Sequence, residues 1–303
     1  MKSFAALVVF ATVALAQTNP LIPSGISATC TSFLTTLNTD SSLAACTAPL
    51  VSASAKYGPS SNSTPSAADI DSTLETLCSA SSTCSDSSIR SLLGKFYAQC
   101  GPELTSSPNA DVIRTYDVLY VISPLKTAVC SKSDSGSYCG AGTPANSTTA
   151  RIATEGGIPT KSLYTAIGGT AKRDTTQVAL IPNVTTYRDN NLVFLFLQPS
   201  LSSAELCTTC TRDILNAYTT FESSVAYAPG LASSPLLGGQ TDLLNGVQST
   251  CGTSFLSGSV QAAGGLSGGV ASSTGAAPRS VDGPVALVGS VLAAVAVGIF
   301  TSL

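Results

Sequence analysis

The chain has 303 residues, 44% apolar and only 10% charged, and its 14 basic and 17 acidic side chains leave a net charge of −3. That composition excludes a charge-driven disordered chain, and the absence of any basic stripe excludes nucleic acid as a partner. The sequence contains no histidine, which removes Ser-His-Asp and Cys-His catalysis and every histidine-containing metal site.

Residues 1–16, "MKSFAALVVFATVALA", place one Lys before an apolar run that ends in Ala14-Leu15-Ala16. This is the pattern of a secretory signal peptide, with Gln17 as the expected mature N-terminus. Helical periodicity follows. Ile26, Cys30, Phe33, Leu34 and Leu37 share one face. "NTDSS" (38–42) then offers a turn that would let Cys30 and Cys46 pair. Ile70, Leu74 and Leu77 form a second stripe, after Pro65 in a first helical turn. Ile89, Leu92, Leu93, Phe96, Tyr97 and Cys100 trace a third. If 85–99 is one helix, Cys84 and Cys100 stand about 24 Å apart, too far to bridge. Val112, Ile113, Tyr116, Leu119 and Tyr120 form a fourth stripe, and Ser123-Pro124 is expected to kink or end that helix.

Residues 140–175 are rich in Gly, Thr, Ala and Ser without a strong period, and read as an exposed low-complexity insert carrying the dibasic pair Lys172-Arg173. "NLVFLFL" (191–197) suits either a strand or a helix, and its likeness in setting to 115–130 favours a helix over 187–197. Ser202-x-x-Glu205 is a capping box, expected to open a helix running through Ile214, Leu215, Tyr218, Phe221 and Val225. Leu243, Leu244, Val247 and Cys251 close the series. The fold class is therefore all-α: a disulfide-stapled helical domain over 17–251, then a Gly/Ser-rich stalk at 252–273.

Ten cysteines in a secreted chain imply disulfides. They are Cys30, Cys46, Cys78, Cys84, Cys100, Cys130, Cys139, Cys207, Cys210 and Cys251. Seven precede the insert and three follow it, so complete pairing forces at least one bond across it. Cys207-x-x-Cys210 lacks the second pair that a zinc site needs and the βαβ setting of a redox motif. No metal and no cofactor is expected. Asn62, Asn146 and Asn183 head N-x-S/T sequons, the expected N-glycosylation sites.

The last segment, 274–303, is expected to be a GPI-signal propeptide. Its apolar run from Val285 to Phe300 is short of the roughly 20 residues that cross a bilayer, and no Lys or Arg follows it. Small residues and a polar spacer precede it, with Ser273 the preferred attachment site and Gly275 the alternative. The membrane, reached through the lipid, is thus one expected partner, and cell-wall glycans are another. Removing both ends takes away Lys2, Arg279 and Asp282 and leaves 12 basic and 16 acidic residues, without charge runs.

Candidate catalytic patterns are weak. Gly265-Leu266-Ser267-Gly268-Gly269 matches G-x-S-x-G but lies in the stalk without a histidine partner. Asp134-Ser135-Gly136 is preceded by Ser131-Lys132-Ser133 instead of an apolar strand. Glu103, Asp111, Asp117, Glu205, Asp213 and Glu222 could in principle pair for glycoside hydrolysis, yet each reads more simply as a helix-start or solvent-face charge. Tyr97, Tyr116, Tyr120, Tyr218 and Tyr227 could line a sugar groove; most read as core.

Three stretches carry a family resemblance: "NPLIPSGISATCTSFLTTLN", "LLGKFYAQCGPELTSSPNADVIRTYDVLYVISPLKTAVCSKSDSGSYC" and "LCTTCTRDILNAYTTFESSVAYAPGLASSPLLGGQ". Together they resemble a fungal family of secreted, usually GPI-anchored proteins built on a domain of unknown function. The likeness extends over about 19–251. It implies a fungal surface protein located at the outer face of the plasma membrane or in the cell wall. It supplies no active site. A structural or interaction role is the expectation, with a carbohydrate- or ligand-binding module and a carboxylate-dependent glycan-active enzyme as alternatives.

Overall fold

The computed structural model describes residues 21–54, 67–79, 85–141, 164–167 and 179–256. The protein is mostly helical over these residues. In chain order the helices are α1 (Ala28–Leu37), α2 (Ser41–Ser54), α3 (Ala67–Ser79), α4 (Asp86–Leu104), α5 (Ala110–Cys130), α6 (Val184–Asp189), α7 (Ser203–Leu206), α8 (Thr209–Ser224) and α9 (Gln240–Cys251). Their starts are set by short polar side chains that accept orphan backbone N–H groups. Asp40 accepts from Ser42 N and Leu43 N ahead of α2. Asn109 accepts from Asp111 N and Val112 N ahead of α5, and Thr208 accepts from Thr211 N ahead of α8.

Helix α5 is the axis of the fold. Fifteen of its 21 residues are buried, so it is covered on every side instead of along one stripe, as a helix that is apolar all round must be. Helices α3, α4 and α8 pack against it, α1 packs on α4, α2 on α3 and α9 on α7. Pro124 neither kinks nor ends α5, contrary to the sequence expectation. The proline forgoes one backbone bond, and the packing around the helix outweighs that loss. The kink falls in α4 instead, where Cys100 leaves helical geometry (φ −119°, ψ 21°) just before Pro102.

A chain of edge-to-face rings runs through the core, a geometry that adds to burial alone. Phe33 meets Phe96 at 5.2 Å, Phe96 meets Tyr116 at 5.3 Å, Tyr116 meets Tyr227 at 5.5 Å, and Tyr120 meets Phe221 at 5.0 Å. Of the five tyrosines considered for a sugar groove, Tyr116, Tyr120, Tyr218 and Tyr227 are core. Tyr97 is 49% exposed.

Three local expectations are corrected. The capping box at Ser202 and Glu205 opens only the single turn of α7, and the chain breaks at Cys207 before α8 starts afresh. Residues 191–197 form a 3-10 turn at Leu192–Phe194, flanked by left-handed Asn191, Leu195 and Phe196. The described strands lie elsewhere: β1 (Tyr164–Ile167) pairs antiparallel with β2 (Ala179–Pro182), so part of the 140–175 stretch has regular structure. Four-residue strands are too short to print a period in sequence.

Helix α9 reaches the 191–201 loop by close contact at Gly246. A Cβ there would stand 2.5 Å from Pro199 Cβ and 2.8 Å from Pro199 Cα. Gly246→Ala is therefore expected to destabilise by about 1–2 kcal/mol in chemical unfolding, because overpacking outweighs the roughly 1 kcal/mol gain in helix propensity. A more stable variant would show that the loop is free to move aside.

Candidate functional site

The covalent frame is the first candidate site, since ten of the predicted site residues are cysteines. Four pairs are Cys30–Cys100, Cys78–Cys130, Cys139–Cys210 and Cys207–Cys251. Cys46 is also disulfide-bonded, and Cys84 lies outside the described residues. Cys30 thus bonds across α1 and α4 to Cys100, not to Cys46. The cause is visible in the packing: both cysteines are fully buried on facing apolar stripes, with Cα atoms 4.6 Å apart. Cys139–Cys210 joins the part of the chain before the 140–175 stretch to the part after it. The two cysteines of the C-x-x-C take separate partners, so neither redox nor zinc chemistry is open to the pair as it stands. Among the described residues no group of His, Cys, Asp or Glu is arranged to hold a metal ion.

Two of the six candidate carboxylates are not surface charges. Asp117 is 0% exposed and Glu103 is buried. Asp117 Oδ1 accepts the Tyr227 hydroxyl, and Oδ2 accepts the Ser234 hydroxyl at 2.6 Å and the Leu236 N–H at 2.8 Å. Tyr120 adds a bond from its hydroxyl to Val225 O at 2.7 Å. One face of α5 thereby holds the whole 225–237 loop. Burial pushes the Asp117 carboxyl up to about 7, while the Ser234, Tyr227 and Leu236 donors keep it from rising further. The Tyr227 hydroxyl is held above its ordinary value, first by burial and then by the Asp117 charge. Glu103 accepts Ser27 N at 2.7 Å and so pins the start of α1 to the end of α4.

The remaining carboxylates behave as expected at helix starts and surfaces. Asp111 pairs with Arg114 at 2.6 Å within α5, Glu205 accepts Ser202 N, and Glu222 accepts Gln240 Nε2 at 2.8 Å. Asp134 sits in a tight turn closed by Gly136 at φ 83° and accepts the Thr209 hydroxyl at 2.7 Å. That turn buttresses the start of α8 and has no catalytic geometry.

An open groove, missed in the sequence, lies along the C-terminal half of α5. Two adjoining cavities of about 240 and 290 Å³ share Asp86, Ser123 and Thr127. The first lies toward α2 and α3 and includes Lys126; the second lies toward α8 and includes Arg90 and Asp213. The contributing residues recur at helical spacing, Asp86 and Arg90 on α4, Ser123 and Thr127 on α5, Asp213 and Ala217 on α8. In sequence such polar and small stripes are indistinguishable from solvent faces.

Of the glycosylation candidates, Asn183 is the described one. It caps α6 by accepting Thr186 N at 3.4 Å, a bond made through Oδ1, the oxygen and not the nitrogen that a glycan would occupy. Asn62 and Asn146 lie outside the described residues, as do the 1–16 segment, Ser273, Gly275 and the apolar tail. No described helix is long and apolar enough to cross a membrane.

The geometry defines a disulfide-stapled helical domain wrapped around one central helix. Residues 19–162 match a family model described as a domain of unknown function (DUF7729). That match covers α1 to α5 and stops before α6 to α9, which complete the covering of α5. No curated protein and no solved structure matches the chain.

Proposed function

We propose that the protein is a fungal cell-surface glycoprotein, delivered by the secretory pathway, GPI-anchored to the plasma membrane or passed to the cell wall, with a structural or interaction role and no catalysis of its own. The observation that carries this reading is the complete engagement of the described cysteines in disulfides. Such bonds form and persist outside the reducing cytosol, and they lock a core diluted by Ser, Thr and Ala. The N-terminal pattern and the small-residue site at Ser273 ahead of the short apolar tail supply the address. The most perturbed carboxylate, Asp117, supports a non-catalytic role, because it is sealed from solvent and committed to three donors. The groove along α5 favours a second reading, a ligand-binding module at the same surface.

Phosphatidylinositol-specific phospholipase C is expected to release the protein from membranes, with the glycolipid remnant on Ser273. Retention on the membrane, together with recovery of a peptide containing Ile299 from the mature protein, would establish a permanent span instead.

A further inference from the structure

The groove along α5 exists because small side chains meet where three helices converge. Ser123 and Pro124 on α5 face Ala217 on α8, and their volume does not fill the space between the helices. Charged ends stand around this floor: Asp86 and Arg90 on α4, Lys126 on α5, Asp213 on α8. Two acids and two bases make the lining electrically neutral in sum.

These groups are poorly satisfied by the protein. Asp86, Arg90 and Lys126 have no ion pair with another described residue, and Asp213 has only Arg212, 3.7 Å away on its own helix. Partial burial holds Lys126 below its ordinary value and pushes Asp213 up. Lys126 and Asp213 are thus partly desolvated charges that gain from a hydrogen-bonding partner, while Asp86 stands exposed at the rim beside Arg90.

The lining also selects among partners. An anion would meet both carboxylates, and a cation would meet both bases. An apolar ligand would strip the charges of water without returning a bond. A neutral ligand dense in hydroxyl groups satisfies all four, since each hydroxyl donates to a carboxylate and accepts from Lys126 or Arg90. The two cavities adjoin, so the ligand is extended.

We propose that this groove binds a segment of a neutral polyhydroxylated chain, a glycan of uncharged hexose units. The proposal deepens the surface-protein reading and rests on it for the ligand's availability. The full-length protein, purified in a detergent without sugar groups, is titrated with hexasaccharides of β-1,3-linked glucose, of mannose and of N-acetylglucosamine. Hexagalacturonate serves as the charged comparison, and calorimetry and NMR follow binding.

At least one neutral hexasaccharide is expected to bind. Lys126→Gln and Asp213→Asn, on opposite sides of the groove, are each expected to weaken that binding about tenfold or more, the range of one charged hydrogen bond. Neither should lower the thermal midpoint, because each side chain is only partly buried and its neutralisation removes a desolvation cost. The proposal is overturned if no neutral hexasaccharide binds up to about 10 mM, beyond the weak end of specific affinity. It is equally overturned if both variants bind as the parent does, or if hexagalacturonate binds more tightly. Phospholipase release is indifferent to the groove and titration in detergent is indifferent to the anchor, so failure of one reading is separable from failure of the other.

Discussion

Asp117→Ala is expected to cost about 4 kcal/mol in chemical unfolding, at the upper end of single-site effects. The substitution leaves the Tyr227 hydroxyl, the Ser234 hydroxyl and the Leu236 N–H without their acceptor in a sealed interior, and each orphaned buried donor costs about 1–3 kcal/mol. Asp117→Asn keeps an oxygen for Ser234 and Leu236 and turns an amide toward Tyr227, so its cost near pH 4, where the parent carboxyl is protonated, should be about 1–2 kcal/mol. Both variants lose the pH dependence that the buried carboxyl gives the parent. The folded-state carboxyl lies at about 7 against an ordinary 3.8, so the folded protein holds this proton over a range where the unfolded chain has released it. The contribution is full below about pH 4 and is lost as pH rises through 7. Asp40 runs the other way: the Ser42 hydroxyl and the Leu43 N–H hold it low, so what it contributes is lost as pH falls. The difference between parent and Asp117→Asn isolates the buried group. The parent's advantage should be largest near pH 4, fall by a few kcal/mol toward pH 8 and there change sign in favour of Asp117→Asn, on the scale of about 1.4 kcal/mol per pKa unit. A difference that does not vary with pH would mean that Asp117 is ionised throughout, its three donors having outweighed burial.

The amphipathic helices were legible because their stripes are dense. Cys30, Leu34 and Leu37, and likewise Ile89, Leu93 and Phe96, fall where α1 and α4 bury them, with Phe33 partly buried against the same core. Helix α5 was legible on one face only. Val118, Val121 and Ile122 are buried as well, and an apolar run without amphipathicity is the sign of a central helix. That same run, "VIRTYDVLYVI", holds the signal that Asp117 is buried: a lone acid amid residues that leave no solvent face. The 191–197 loop was opaque for a different reason. Asn191, Leu195 and Phe196 adopt left-handed geometry, which costs about 1–2 kcal/mol for Leu or Phe and is held by tertiary contacts such as Asn191 Nδ2 to Leu197 O and the Tyr218 hydroxyl to Val193 O. Local propensity carries no trace of those partners. The groove is invisible in sequence because it is made by the absence of bulk at Ser123, Pro124 and Ala217, on two helices far apart in the chain.

The second large effect is expected at Cys139–Cys210. Among the described bonds this one crosses the 140–175 stretch, closing a separation of 71 residues. A loop of that length restrains the unfolded chain by about 4 kcal/mol in the chain-entropy account, and measured losses run about 2–5 kcal/mol. Cys139→Ala/Cys210→Ala should therefore unfold at clearly lower denaturant concentration than the parent. It should still fold, because α4 and α8 continue to pack on α5 and Cys207–Cys251 still ties α7 to α9. Cleavage after Arg173 separates the two roles of the bond. In the parent, the cut fragments should migrate together on a denaturing gel until reductant is added. In the double variant they should separate without reductant, yet co-elute under native conditions through the α5–α8 interface. Fragments of the parent that separate without reductant would show that Cys139 and Cys210 are not joined. Fragments of the variant that separate under native conditions would show that the bond, and not the packing on α5, holds the two halves as one domain.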